Sequence, residues 1–426
     1  MPQRVEEVTP SASRLTGSLR DIGYDFTTAI ADLVDNSIAA GADTVSLDFN
    51  FLGRTSYISI VDNGSGMTRE GVGEALRFGS RKDYGSDDLG RFGLGLKTAS
   101  FSQCRRVTVV SRHAPKQRRI TARTLDLDHV ASTDRWQIFT PTPSARIARA
   151  EAELDDGPGT VVLLESLDRV FEGVDPEGAW AERRLDRFAE ETTAYLGMVF
   201  HRFIEGSATA GRVTLIVNGG KVPAWNPFAE GEEGTKTLPV SRFAVVRGGE
   251  SHQVTVRPFI LPPRSEFSTP IEFERLGGPN RWNRQQGLYI YRSDRMVQSG
   301  SWSGLRGIDE HTKLARVAVE FPTALDETFK INVAKMRVGI PNELREGLKR
   351  RVNEVCVLAD ARYRSSTNTR RKATSNGTNG RTSGDLKTVG LALESAAIQL
   401  GETDALDRLI EQVRLSDGSL AEALGF

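Results

Sequence analysis

Cysteine is almost absent: the 426 residues contain two, Cys104 and Cys356. Two cannot build a disulfide framework, so a reducing, cytoplasmic setting is the expectation, with both thiols acting as packing residues. Long apolar runs are missing as well. No stretch approaches the ~20 residues needed to cross a bilayer, and the opening MPQRVEEVTPSAS has no apolar signal core, so no membrane partner is expected. Charge of one sign does not prevail, since Lys+Arg and Asp+Glu both number 56. A whole-chain basic footprint for nucleic acid is therefore excluded. The five histidines show no metal-ligand spacing, which argues against zinc. No internal repeat is visible. What is present is an ordinary globular composition, 38% hydrophobic and 26% charged, in a chain long enough for two or three domains.

Periodicity predicts helices over 11–20 and 26–40, the second carrying Phe26, Ile30, Leu33, Val34 and Ile38 on one stripe and stopping at Gly41. Strand-like runs follow at 44–52 and 55–62, then a helix over 68–76 with Thr68 as cap. Residues 79–95 are rich in glycine, as a ligand-approaching loop would be. Further strands are expected at 105–112, 118–125, 135–140 and 159–167, and a long helix over 176–205. The first unit thus reads as helices on a largely antiparallel sheet, an α+β arrangement. A second unit is expected to open at RVTLIVNGG (212–220), where NGG signals a hairpin turn. It continues through strands at QVTVRPFIL, GLYIYRS and LARVAVEF and a helix over 342–362. Residues 363–384 read as a flexible linker, and 385–426 as a small helical, acidic segment suited to dimerisation or docking.

Three segments carry candidate chemistry. In ADLVDNSIAAGA, Asp32 and Asn36 are four apart and share a helix face. A carboxylate there can orient a water, and an amide oxygen can bind a hard cation; the same pattern also fits a solvated polar face. In IVDNGSGM, Asp62 ends a strand before Gly64 and Gly66. That arrangement suits recognition of an amino group on a flat heterocycle, although Asn63-Gly64 also fits a type I′ turn. In LGRFGLGLKTAS, glycines expose backbone N–H groups ahead of a helix, with Lys97 nearby, which suits an anion. It is not a Walker A loop, because Leu96 stands where that pattern needs glycine. Nor is it a dinucleotide fingerprint.

The order of these segments resembles the GHKL ATPases: the gyrase B subunits, chaperones of the Hsp90 type, MutL and the sensor histidine kinases. GPGTVVLL (157–164) is similar to their late Gly-Thr strand. Within the superfamily the chain looks most like MORC and related prokaryotic ATPases, through RFGSRKDYG with LGRFGLGLKTAS as a lid. RVTLIVNGGKVPAWNPF and GLYIYRSDRMV look like parts of the transducer domain that follows. The resemblance spans roughly residues 12–350 and implies a Bergerat-type ATP-binding α/β sandwich over 1–208. It also implies a smaller transducer-like α/β domain over 209–362, followed by the linker and the helical tail.

It further implies ATP and Mg²⁺ as cofactors. Asn36 would ligate Mg²⁺, Asp62 would accept from the adenine amino group, and Gly64, Gly66 and Met67 would border the base. Thr160 would support Asp62 and its water. Lys82 and the run Arg91, Phe92, Gly93, Leu94, Gly95 and Leu96 would surround the phosphates, with Lys97 near them. Asp32 would be the general base; hydrolysing relatives usually carry Glu there, so slow hydrolysis is expected. Asp35, turned about 100° from Asn36 on a helical wheel, is the weaker choice. Lys335 would reach the γ-phosphate from the second unit, with Lys330 and Lys313 as rivals for that role. ATP would order the lid and gate a homodimer, with residues 1–20 crossing to the partner as in relatives. The resemblance points to DNA processing or phage defence beside operon-encoded helicases or nucleases.

Two rival readings compete. A histidine kinase needs a phospho-accepting His on a dimerising helix, and the first histidine is His113. A non-hydrolysing ATP-gated switch or DNA-binding clamp draws on 105–123, with seven Lys/Arg and no acid, and on 369–381; both stretches also fit a solvated rim and a soluble linker.

Overall fold

The structure, a computed structural model, describes residues 10–21, 24–78, 95–113, 119–154, 157–279, 281–331, 338–374 and 383–426. These fall into two compact units. The first runs to Trp225 and includes the segment Ser293–Arg295; most of the remaining residues form the second.

In the first unit, α1 (Ala12–Arg20) is capped by Ser11 and α2 (Phe26–Ala39) by Asp25, each side chain accepting a backbone N–H of the first turn. Then come β1 (Thr44–Asn50), β2 (Tyr57–Asp62), α3 (Arg69–Ala75), α4 (Gly95–Phe101), β3 (Arg106–Arg112), β4 (Thr121–Asp126), α5 (Leu127–Thr133) and β5 (Ile138–Phe139). After these follow α6 (Ala145–Ala152), β6 (Gly159–Glu165), α7 (Ala179–Val199), α8 (His201–Glu205), β7 (Thr214–Val217) and β8 (Gly220–Lys221). Thr68 caps α3 as expected, accepting from the Gly71 amide. The sheet order is β5-β4-β3-β6-β2-β1-β7-β8. Only β1–β7 is parallel among these pairings.

Alternation along β2 sends Ile58, Ile60 and Asp62 to one face and Tyr57, Ser59 and Val61 to the other. The first face meets α2, where Ser37 reaches Asp62. Behind it α2 packs on α4 and α7, with the Phe26 and Phe188 rings stacked at 4.5 Å. The second face packs Tyr57, Val110, Val161 and Leu163 against Ile147, Ala150 and Leu154 of α6 and its end. Because α2 is buried on nearly all sides, its two exposed residues, Asn36 and Ala39, stand out.

In the second unit lie β9 (Lys236–Thr237), β10 (Ser241–Arg247), β11 (Glu250–Ile260), α9 (Pro270–Leu276), α10 (Arg281–Gln285), β12 (Gly287–Arg292), β13 (Arg295–Gln298, entered through Arg295 of the first unit) and β14 (Ala315–Phe321). The sheet order is β10-β11-β14-β12-β13, with β9 on β11 and β12 parallel to β14. The helix α11 (Asn342–Thr374) packs on β11 and β14, and α12 (Ser383–Leu400), α13 (Thr403–Ser416) and α14 (Gly418–Leu424) pack on one another. No helix among the described residues is long and apolar enough to cross a membrane.

Two expected boundaries move. The strand expected to open the second unit at 212–220 instead pairs with β1 in the first sheet, Thr44 opposite Thr214. Its NGG turn does form a hairpin, with Asn218 and Gly219 at φ 47° and 77°. Hydrophobic alternation identifies a strand but not the edge it joins. The supposed linker is helical up to Thr374, because no glycine or proline interrupts α11 from Leu348 onward. Residues 375–382 lie outside the described residues.

Candidate functional site

Asp62 closes β2 between β1 and β6, opposite Val45 and Thr160. It is 7% exposed. Ser37 Oγ donates to its Oδ2 at 2.9 Å, and the Gly64 amide donates to Oδ1 at 2.9 Å. Burial holds the carboxyl above the usual carboxylate range, against the opposing pull of hydrogen bonds from Gly64, Ser37 and the Thr160 backbone. No return strand follows β2; the chain runs into α3, and only Gly66 between Asn63 and Met67 has positive φ. The type I′ alternative therefore fails. At Gly66, φ is +63° and a Cβ would stand 1.8 Å from the Arg112 carbonyl oxygen. Only glycine fits so close to another backbone.

Ser111 on β3 ties this loop to β6. Its hydroxyl accepts from the Met67 amide at 2.8 Å and donates to the Gly159 carbonyl at 2.8 Å. It also lies 3.0 Å from Thr160 Oγ1. The Thr160 hydroxyl thus turns toward Ser111, and its contact with Asp62 runs through the backbone. His113 Nδ1 lies 3.2 Å from the Ser65 carbonyl oxygen, bracing the same loop.

On α2, Asp32 and Asp35 are 3% and 1% exposed. Tyr24 Oη donates to Asp32 Oδ2 at 2.9 Å. Arg295, fully buried, places Nε 2.9 Å from Asp35 Oδ1 and 2.7 Å from Oδ2, with Nη2 3.9 Å from Asp32 Oδ1. Burial alone would lower the guanidinium pKa; the charge of Asp35, then Tyr195 and Asp32, holds it above the ordinary value. Gly95 opens α4 beside Asp32, since a Cβ there would lie 3.9 Å from Oδ2. Half-buried Leu96 follows. Lys97 is buried, its Nζ donating to the Arg77 carbonyl at 2.6 Å. Burial pulls its pKa down to about 8, against the charge of Glu74.

The fold therefore brings Asp32, Asn36, Asp62, Gly64, Gly66, Met67, Gly95, Leu96, Lys97 and Thr160 into one unit around α2 and the ends of β2 and β6. Lys82, Arg91, Phe92, Gly93, Leu94 and Lys335 lie outside the described residues. Sequence reasoning missed Tyr24, Ser37, Ser111 and Arg295. A hydroxyl at an otherwise apolar position was the available signal for two of them: Ser37 lies one turn beyond Leu33, and Ser111 alternates with Val107 and Val109. The donor set fits Mg²⁺ and a purine: an exposed carboxamide side chain at Asn36, and a buried carboxylate beside side-chain-free backbone at Asp62.

Residues 24–157 match the family described as histidine kinase-, DNA gyrase B-, and HSP90-like ATPase. The ATPase morc-1 of Caenorhabditis elegans is 33% identical over 135 residues, 30% of this chain and 15% of that protein. The DNA mismatch repair protein MutL of Shewanella sediminis (strain HAW-EB3) is 41% identical over 90 residues, 20% of this chain and 14% of its own length. The chain thus matches about one seventh of the length of these curated relatives. Residues 24–157, with the α+β sheet and Asp62, therefore form a domain of the GHKL ATPase type that is similar to those of morc-1 and MutL.

Proposed function

We propose that this chain binds ATP with Mg²⁺ at Asp62 and Asn36 and hydrolyses it slowly, with Asp32 as general base. One observation carries the reading: Asp62 is buried between Ser37, Gly64 and the Thr160 backbone, while Asp32 and the exposed Asn36 lie one turn apart on the helix that supplies Ser37. Asp62 accepts from the purine amino group, and the backbone of Gly64 and Gly66 lets the base approach, with Met67 beside it. Thr160 steadies Asp62 from the neighbouring strand. Asn36 would hold Mg²⁺, which supplies charge neutralisation for the phosphates. Lys97, Gly95 and Leu96, together with Lys82, Arg91, Phe92, Gly93 and Leu94, surround the phosphates, and Lys335 is the candidate for contact with the γ-phosphate.

Asp32 takes the proton of the attacking water. Its side chain is one methylene shorter than the usual Glu, and a misplacement of about 1 Å costs on the order of 10²-fold in rate; hence slow turnover. In this reading ATP closes the glycine-rich lid and gates a homodimer, and the second unit acts as a transducer toward DNA or an operon-encoded helicase or nuclease in DNA processing or phage defence. The likeness to morc-1 supports the ATPase part of that reading, and the likeness to MutL, a DNA mismatch repair protein, supports the DNA-processing part. The short Asp32 side chain also favours a second reading, an ATP-gated switch that retains nucleotide without turnover. Single-turnover hydrolysis by wild type and Asp32→Ala decides between them. Asp32→Ala should bind ATP and lose hydrolysis; hydrolysis at the wild-type rate would remove Asp32 as base.

A further inference from the structure

We infer that Arg295 is a positioning residue that fixes the Asp32 carboxylate for its encounter with water. The inference rests on the ATPase reading above. Asp32 and Asp35 are three apart on α2 and so are neighbours on its surface, and both are buried. Two buried carboxylates so close repel each other, and such a pair persists only with a cation against it. Arg295 is that cation. Its Nε bonds Asp35, and the same planar group holds Nη2 3.9 Å from Asp32 Oδ1. The other oxygen, Oδ2, takes the Tyr24 hydroxyl at 2.9 Å. Asp32 is thus flanked on both oxygens, from two directions, by groups outside its own helix.

Arg295 is itself held. The Phe200 ring lies 5.7 Å from its guanidinium carbon. The preceding residue, Asp294, accepts from Arg202 at 3.1 Å and from the Thr209 amide at 2.8 Å. Ser293 and Asp294 both adopt positive φ, 45° and 68°, a costly backbone that persists where its surroundings enforce it. The fixed fork matters more than the charge: a lysine ammonium at this position is a point charge that cannot span both acids in one plane. An aspartate reaches less far than a glutamate, so its carboxylate depends more on such external bracing.

The test uses the full chain and compares wild type, Arg295→Lys, Asp32→Asn, the charge-neutral pair Arg295→Met with Asp35→Asn, and Arg295→Lys combined with Asp32→Asn. Mg·ATP affinity is read by calorimetry and hydrolysis by single turnover. Arg295→Lys and the charge-neutral pair should hold affinity within about threefold and lose rate on the order of 10- to 100-fold. In the Asp32→Asn background Arg295→Lys should cost nothing further, because the residue acts through Asp32. An unchanged rate, an equal loss in both backgrounds, or a loss confined to affinity would each overturn the inference. A wild-type chain that binds no ATP would instead remove the ATPase reading itself.

Discussion

Ser37 Oγ donates to Asp62 Oδ2 across 2.9 Å, joining the helix that bears Asp32 and Asn36 to the end of β2, which under the proposed function receives the purine. A hydrogen bond to a charged group contributes about 1.5–3 kcal/mol, and about 1.4 kcal/mol is tenfold in affinity. Ser37→Ala should therefore weaken Mg·ATP binding by roughly 10- to 100-fold while leaving the rate at saturation nearly unchanged. Calorimetry with single-turnover kinetics measures both.

Asp62 should make ATP affinity sensitive to acid. Under the proposed function the ionised carboxylate accepts from the purine amino group, and burial raises its pKa above that of an ordinary aspartate. As pH falls, Asp62 takes its proton earlier than an exposed aspartate, and affinity drops with it. The free protein shows the opposite sign. A carboxyl with a raised folded pKa binds protons more readily when folded, so its contribution to stability is present below the unfolded pKa and is lost as pH rises through the folded value. A pH titration of ATP binding by wild type reads the first trend, and thermal melting of wild type against Asp62→Asn reads the second, which the variant should lack.

Gly66→Ala should destabilise the first unit. A left-handed backbone costs a non-glycine residue about 1–2 kcal/mol, and the added Cβ would meet the Arg112 carbonyl oxygen at 1.8 Å. The combined loss should exceed about 2 kcal/mol in denaturant unfolding.

Lys97 has a stability signature of its own. Burial lowers its pKa to about 8 from 10.5. Below pH 8 both folded and unfolded chains carry the proton, and the cost of burying the charge is fully present. Between pH 8 and 10.5 the unfolded chain binds more protons, so stability rises with pH. Lys97→Met should melt no lower than wild type at pH 7, with the difference shrinking across that window. Under the proposed function it should also bind ATP more weakly.

Local pattern made the elements of the candidate site legible. Helical spacing placed Asp32 and Asn36 on one helix, and the strand run ending at Asp62 placed that carboxylate at the close of β2. Pairing across the chain was not legible. Arg295 meets Asp35 over a separation of 260 residues, and nothing near either residue announces the other. The same limit hid the pairing of β7 with β1, because its apolar alternation fits any sheet edge with space for Leu215 and Val217. Ser37 and Ser111 were visible as hydroxyls on apolar faces, but their partners were not. The end of α11 was misplaced because polar composition suggests a linker, whereas a helix already begun continues until something breaks it.

Calorimetry of Mg·ATP binding to the wild-type chain and to Asp62→Asn decides whether Asp62 recognises the nucleotide. Wild type should bind saturably, and Asp62→Asn should lose binding or nearly so. The absence of binding by wild type, or equal affinity in the two proteins, would contradict that role.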